Sequence, residues 1–322
     1  MPTVAASSQT NSVSEPGILV KENFSEVLRR NLDLVLQREW DYDIMGSKFF
    51  NQENMDGENV RIGEFYGVGL VPVSRDADNV PVDEIGQGFV KTLNAITYRL
   101  AIDIEQALIE DDKLGVVGKR QTALATSAKR TVEYILADAF NRGFSSSATQ
   151  FTCADGEELF SDARNNPAPG GGTWSNLETA AALTSTSLWT MDTNFAANTD
   201  ERNLLAPLDI RHLVVPKALA KKAWEITNSG QVPENAMNTA QYYNGGQAVQ
   251  VHPWNYLTSS TAWFGFGCAD FQDPMNELYQ FWRVPATPET SDPKENVVRQ
   301  WIRYRTVNGA ARPHAWRGNA GA

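Results

Sequence analysis

Residues 118–143 read GKRQTALATSAKRTVEYILADAFNRG, and the fold is decided there. Val117, Leu124, Ala128, Val132, Ile135 and Ala139 recur at helical spacing, while Lys119, Arg120, Lys129, Arg130, Glu133 and Arg142 fall away from that stripe. No proline interrupts the run, so it predicts one helix about 38 Å long at a rise of ~1.5 Å per residue. Gly143 follows Arg142, where a C-terminal cation and a left-handed capping residue are expected. A helix of that length with one narrow stripe is a strut across a sheet more readily than a member of a bundle.

The chain around it has 322 residues, 42% of them hydrophobic, enough for a substantial core in about two lobes. Its net charge of -11 argues against a surface built throughout to hold nucleic-acid phosphates. Cys153 and Cys268 are too few for a disulfide scaffold and fit a reducing cytoplasm. No apolar run reaches ~18 residues and no signal sequence is legible, so no membrane association is expected.

The region before the strut is acidic. Between Asp41 and Asp112 stand fifteen acids and five bases, so nearly all the net charge of the chain lies there. Two strand-like runs, 60–73 and 89–102, flank a turn-rich tip, SRDADNVPVDEIGQG, and predict a long hairpin softened by Gly63, Gly67 and Gly69. Such a hairpin needs a partner to lie on. In the second run Ile96, Tyr98, Leu100 and Ile102 should pack, and Thr97, Arg99 and Ala101 should be wet. Residues 1–17 are small, polar and aperiodic, and cannot order themselves. Asn23 and Glu26 then have the spacing of a helix cap, with an apolar face of Phe24, Val27, Leu28, Leu32 and Val35 to about Arg38.

After the strut, the Pro-Ala-Pro-Gly-Gly-Gly run at 167–172 predicts a flexible crossing between lobes. It is no phosphate loop, because Thr173 and Trp174 follow rather than Gly-Lys-Ser/Thr. A second, α+β lobe should hold a helix over about 176–194, a strand over 212–215, a helix from Pro216 to near Gly230, and strands at 248–251 and 261–266. The tail predicts strands over 278–284 and 297–307 around a TPETSD loop. Arg299, Arg303 and Arg305 share one face of the last strand, and Val298, Ile302 and Tyr304 the other. That basic face suits the acidic hairpin of a neighbouring copy, DNA, or solvent.

Enzyme chemistry finds little support. His212, His252 and His314 lie in separate segments without a second ligand at i+3 or i+4. Cys153 beside Asp155 has no evident base, and the acid pairs Asp41/Asp43 and Asp111/Asp112 read as solvated. Trp224, Trp263 and Trp301 sit on patterned elements and read as core rather than as a glycan-binding face. No catalytic, cofactor-binding or metal-binding residue is assigned, and no cofactor is expected.

Four blocks together resemble the major capsid proteins of tailed double-stranded-DNA bacteriophages, in the branch of the Mu-like major head subunit. They are VPVDEIGQGFVKTLNAITYRLAIDIEQALIEDD (80–112), LADAFNRGF (136–144), ADGEELFSDARNNPAPGGGTWSN (154–176) and LLAPLDIRHLVVPKALAKKAWEI (204–226). The resemblance implies an α+β Hong Kong ninety-seven-type capsid fold. Its parts would be an N-terminal arm (1–44), an extended β-hairpin loop (45–95), a peripheral domain (96–175 and 271–308) around the spine helix 118–143, and an axial domain (176–270 and 309–322). It further implies self-assembly into hexamers and pentamers of an icosahedral virion shell, built in the cytoplasm of a bacterial host around a double-stranded DNA genome. Portal, scaffolding or decoration proteins are the implied partners, with the packaged DNA in non-specific contact. Some relatives join a lysine to a neighbouring asparagine; Lys48 and Lys91 lie in the acidic region with nothing to pair them, and no crosslink is assigned. The alternatives are an encapsulin-like cellular nanocompartment shell and, in another class, a monomeric hydrolase or glycan-binding protein.

Overall fold

The computed structural model describes residues 44–73, 80–105, 116–145, 151–230, 242–245, 248–290 and 297–322, together with Leu34 and Ala107. The expected arm 1–44 apart from Leu34 and Ile44, with the helix after Asn23, and the acid pairs Asp41/Asp43 and Asp111/Asp112 lie outside these residues.

In chain order, a short helix Met45–Lys48 leads to strand β1 (Asn51–Asn54), and β2 (Asn59–Tyr66) and β3 (Gly86–Asn94) follow. β4 (Ile96–Glu105) precedes the long helix Val116–Asn141. Next come β5 (Arg164–Asn165), β6 (Thr173–Trp174), β7 (Leu177–Glu178), the helix Ser185–Ala196 and β8 (His212–Val215). The helix Ala220–Asn228 then leads to β9 (Gln250–Pro253), β10 (Trp263–Phe266), β11 (Leu278–Thr290), β12 (Val297–Ala310) and β13 (Trp316–Asn319).

Two sheets form the body. One has the order β1-β11-β12-β4, with β1 parallel to β11 and the other pairs antiparallel. Its longest ladder runs from Val297 opposite Glu105 to Thr306 opposite Ile96. The alternation of VVRQWIRYRT sends Val298, Ile302 and Tyr304 inward and leaves Arg299 and Arg303 exposed, as the sequence predicts. The register of β11 shifts between Val284 and Thr287, where Pro285 can donate no ladder hydrogen bond. β11 also continues to Thr290, so the start of the TPETSD loop is strand. The second sheet, β7-β13-β10-β8-β9, belongs to the second lobe.

The strut exists, spanning Val116–Asn141, but its buried face is wider than one stripe. Gln121, Ala125, Leu136, Ala137 and Phe140 are buried beside Leu124, Ala128, Val132 and Ala139. Glu133, expected on the wet side, is also buried; its carboxylate accepts hydrogen bonds from Gly46 N (3.1 Å) and Trp254 Nε1 (3.0 Å). The helix therefore has protein on two sides. Gly143 does not take up the left-handed capping conformation. Its missing side chain matters instead for packing, since a Cβ there would stand 2.9 Å from the Phe160 ring.

Phe140 is the joint between the lobes. Its ring, wholly buried, meets Phe49 and Phe50 from the start of the body, Phe160 from the loop after the helix, and Trp254, Phe264 and Trp316 from the second lobe, at 5.1 to 6.4 Å between centroids. Edge-on contacts of this kind add to the burial of large rings. The two lobes thus share one core. The Pro-Ala-Pro-Gly-Gly-Gly run is accordingly no loose crossing: it turns between β5 and β6, with Gly170 and Gly172 at positive φ (77° and 67°) and Ala168 buried.

Other differences are local. Residues 177–178 form a strand, and the helix expected from 176 begins at Ser185 behind a Thr184–Ser187 capping box. Pro216 caps a 3-10 turn, Lys217–Leu219, ahead of the helix Ala220–Asn228. The run 89–102 splits at Ala95 into β3 and β4, which lie in different sheets. Leu100 and Ile96 are exposed rather than packed.

Candidate functional site: the hairpin and its seat

The hairpin proper is β2 paired with β3, from Asn59 opposite Asn94 to Tyr66 opposite Gly86. Residues 45–55, expected as part of the loop, belong to the body, since Phe49 and Phe50 are buried and β1 pairs with β11. At the hairpin root, Ile62 and Leu93 are buried with Met55, Phe281, Val307 and Ala311. Beyond Tyr66 the two chains leave the ladder, and large apolar side chains face outward: Val71 is 95% exposed, Val73 101%, Val80 84% and Val82 90%. Isolated exposed apolar residues are ordinary, but a run of them on one projecting element marks a contact surface.

Between root and tip the hairpin rests on the body at a polar seat. The ladder slips between Gly63 and Phe65, and Glu64, two residues after Ile62 on the buried face of β2, is 5% exposed. Across the strand, a Cβ on Gly88 would lie 2.7 Å from the Pro167 side chain, so only glycine allows this approach. Arg312, at the end of β12, dominates the seat. Its main-chain N–H donates to the Glu277 carboxylate (2.7 Å), and its guanidinium pairs with Glu201, donates to Asn166 Oδ1 (3.1 Å) and lies over Trp174. Arg164 is buried alongside, bonded to Asp155 (2.7 Å) and Asn176 Oδ1 (3.1 Å). Burial pushes the Glu64 carboxyl up to about 8 and that of Glu277 to about 7, against the pull of Arg312.

Farther out, Arg202 holds the neck. It donates to Gly67 O (2.5 Å), Asp83 (3.0 Å) and Glu84 O (2.8 Å), and sits over the Tyr66 ring. Backbone N–H groups of Gly69 and Glu84, then Arg202, keep the Asp83 carboxyl below the usual range. Asp83 is thus paired within its own chain. Asp76 and Asp78 lie outside the described residues.

The basic face of β12 is real but partly neutralised, because Arg299 forms a two-pronged pair with Asp103 of β4 (2.7 and 2.8 Å). Arg303 stands opposite Arg99, and with Leu100, Ala101 and Trp301 they line a concavity of about 360 Å³ on the outer side of the sheet.

The residues considered for chemistry fall elsewhere. His212 and His252, distant in sequence, meet across parallel strands β8 and β9 with Nδ1 to Nε2 at 3.0 Å, packed on Phe271. Burial holds both below the usual histidine range, His252 at about 4. His314 is buried between Arg312 and Arg317 and is lowered to about 3 by desolvation and those charges. Cys153 is a buried thiol raised to about 11, which suits packing rather than attack. Lys91 bonds to Thr152, and Trp263 is core as expected, but Trp224 is 61% exposed. Among the described residues no group of acids, histidines and cysteines is arranged to hold a metal ion, and no helix is long and apolar enough to cross a membrane.

A family model described as phage capsid protein matches residues 90–319. No curated protein matches the chain. Among solved structures, the capsid of cyanophage P-SCSP1u superposes with a TM-score of 0.56 at 12% identity, covering 86% of this chain and 87% of that one. A chain from Mycobacterium phage Patience gives 0.54 at 10% identity over 97% and 95%, and one from Microbacterium phage Oxtober96 gives 0.52 at 11% over 86% and 91%.

Proposed function

Starting from the fact that this chain belongs to the phage capsid protein family, we propose that its hairpin is the element by which copies grip one another in the shell. The chain is a major capsid protein of a tailed phage, with the Hong Kong ninety-seven-type fold, and identical copies in the virion shell are its partners. The phage family match favours a genome container over a cellular nanocompartment. In our reading the copies form hexamers and pentamers, the arm is 1–44, the spine helix and the four-stranded sheet form the peripheral domain, and the five-stranded sheet forms the axial domain. Portal, scaffolding or decoration proteins and packaged DNA complete the set of partners, and the chain performs no catalysis.

The observation that carries the proposal is the uncovered apolar run at 68–73 and 80–85. β3 alone extends about 30 Å at ~3.3 Å per residue, and although Arg202 ties Gly67, Asp83 and Glu84 to the body, Val71, Val73, Val80 and Val82 stay almost fully exposed within the subunit. In our reading a neighbouring copy covers those valines. Electron microscopy of the purified chain tests this: rings or closed particles are expected, and deletion of 67–85 should leave folded, unassembled subunits. A wild-type chain that stays monomeric at every concentration and salt, or a deletion that assembles normally, would refute it.

A further inference from the structure

The seat beneath the hairpin is built from charge where apolar packing would be expected. Glu64 leaves the β2–β3 register and points into the body, where Arg312, Glu277, Asp155 and Glu201 face it from other segments. The cations there are already engaged: Arg312 by Glu201, Asn166 and the main chain of Thr199, and Arg164 by Asp155. Among the described residues, no hydrogen bond or ion pair reaches the Glu64 carboxyl. A buried carboxylate without a counter-charge is expensive, whereas a buried neutral acid costs far less.

We propose that Glu64 is a proton-controlled latch: with its proton it keeps the hairpin base seated on the body, and without it the base lifts while Arg202 retains the neck. Neither the capsid reading nor a second copy is needed for this, because every group involved belongs to one chain. The nearby groups leave Glu64 as the decisive one. Asp155 is committed to Arg164, His314 is held neutral by burial and then by Arg312 and Arg317, and Lys91 on β3 is bonded to Thr152. Glu277, raised to about 7, adds to the effect in the same direction. A seated acid at about 8 against a solvated one near 4.5 means the seated state binds more protons. Seating is therefore complete at low pH and is lost as pH rises through about 8.

Hydrogen exchange on the full-length subunit, corrected for the intrinsic pH dependence of exchange, reads the latch in peptides 59–66 and 86–94. Opening should rise about 100-fold between roughly pH 6 and pH 9.5, as the shift to about 8 requires. Glu64→Gln should stay closed and lose most of that rise, whereas Glu277→Gln should keep most of it. A wild-type hairpin that is equally protected at both pH values overturns the proposal, as does a Glu64→Gln chain that opens like wild type. Should that variant fail to fold, carboxyl carbon NMR of the wild type decides. A glutamate titrating near pH 8 together with hairpin opening upholds the latch, and glutamates all titrating in their ordinary range sink it.

Discussion

The ring cluster around Phe140 and the outer hairpin are both apolar, yet they stand at opposite extremes of coverage. Phe140 is wholly buried and touched by rings from every part of the body, while Val71, Val73, Val80 and Val82 are almost fully exposed. The same driving force acts on both. In the first it is satisfied within one chain and gives a stiff body; in the second it is left over and awaits another molecule. In our proposal stability and assembly are thereby assigned to different residues.

Substitutions separate the two. Phe140→Ala should destabilise the subunit most, by about 4 kcal/mol, read from its urea unfolding midpoint. Glu133→Ala strips the acceptor from Gly46 N and Trp254 Nε1, leaving two buried donors unsatisfied, and should cost about 2 kcal/mol in the same assay. Next in size is the acid limb. His212 and His252 are held below their unfolded range, so the unfolded chain binds more protons, and stability is intact above about 6.5 and falls as pH drops towards about 4. A melting temperature that declines over that window, and declines less in His252→Gln, is the expected result. Smallest for the fold is the triple change of Val71, Val80 and Val82 to Ser, which should alter unfolding by less than ~0.5 kcal/mol while abolishing particles in electron micrographs. If it destabilised the subunit as much as Phe140→Ala, the division between the regions would fail.

Much of the body was legible because periodicity reports burial directly. The helix at 118–143 was found within two residues, the strand at His212–Val215 in full, and the two faces of β12 as predicted. What escaped depends on contacts far apart in sequence. Nothing in NQEN announces a parallel partner at Tyr279–Trp282, and WRGN near the end of the chain does not read as a strand. Glu133 reads as lying on the wet side, because a helical pattern cannot show that a tryptophan N–H will draw a carboxyl inward; Glu64 follows Ile62 by two residues on the buried face of β2, but nothing in the sequence says what packs over that face. The glycine-rich turn at 170–172 looked loose because glycine both permits disorder and permits a close fit; Gly171, against Asn166 and Glu201, is the second kind. The projecting hairpin was legible as an element, and its polar seat was not.

Ala95 alone separates β3, which carries the tip, from β4, which forms the longest ladder of the body. A pull on the tip is therefore transmitted along covalent bonds into ten cross-strand pairs loaded in shear. Mechanically the hairpin is a lever whose handle, β3, and fulcrum, β4, are joined through a single residue. Tension between neighbouring copies would be borne by the stiffest part of each subunit.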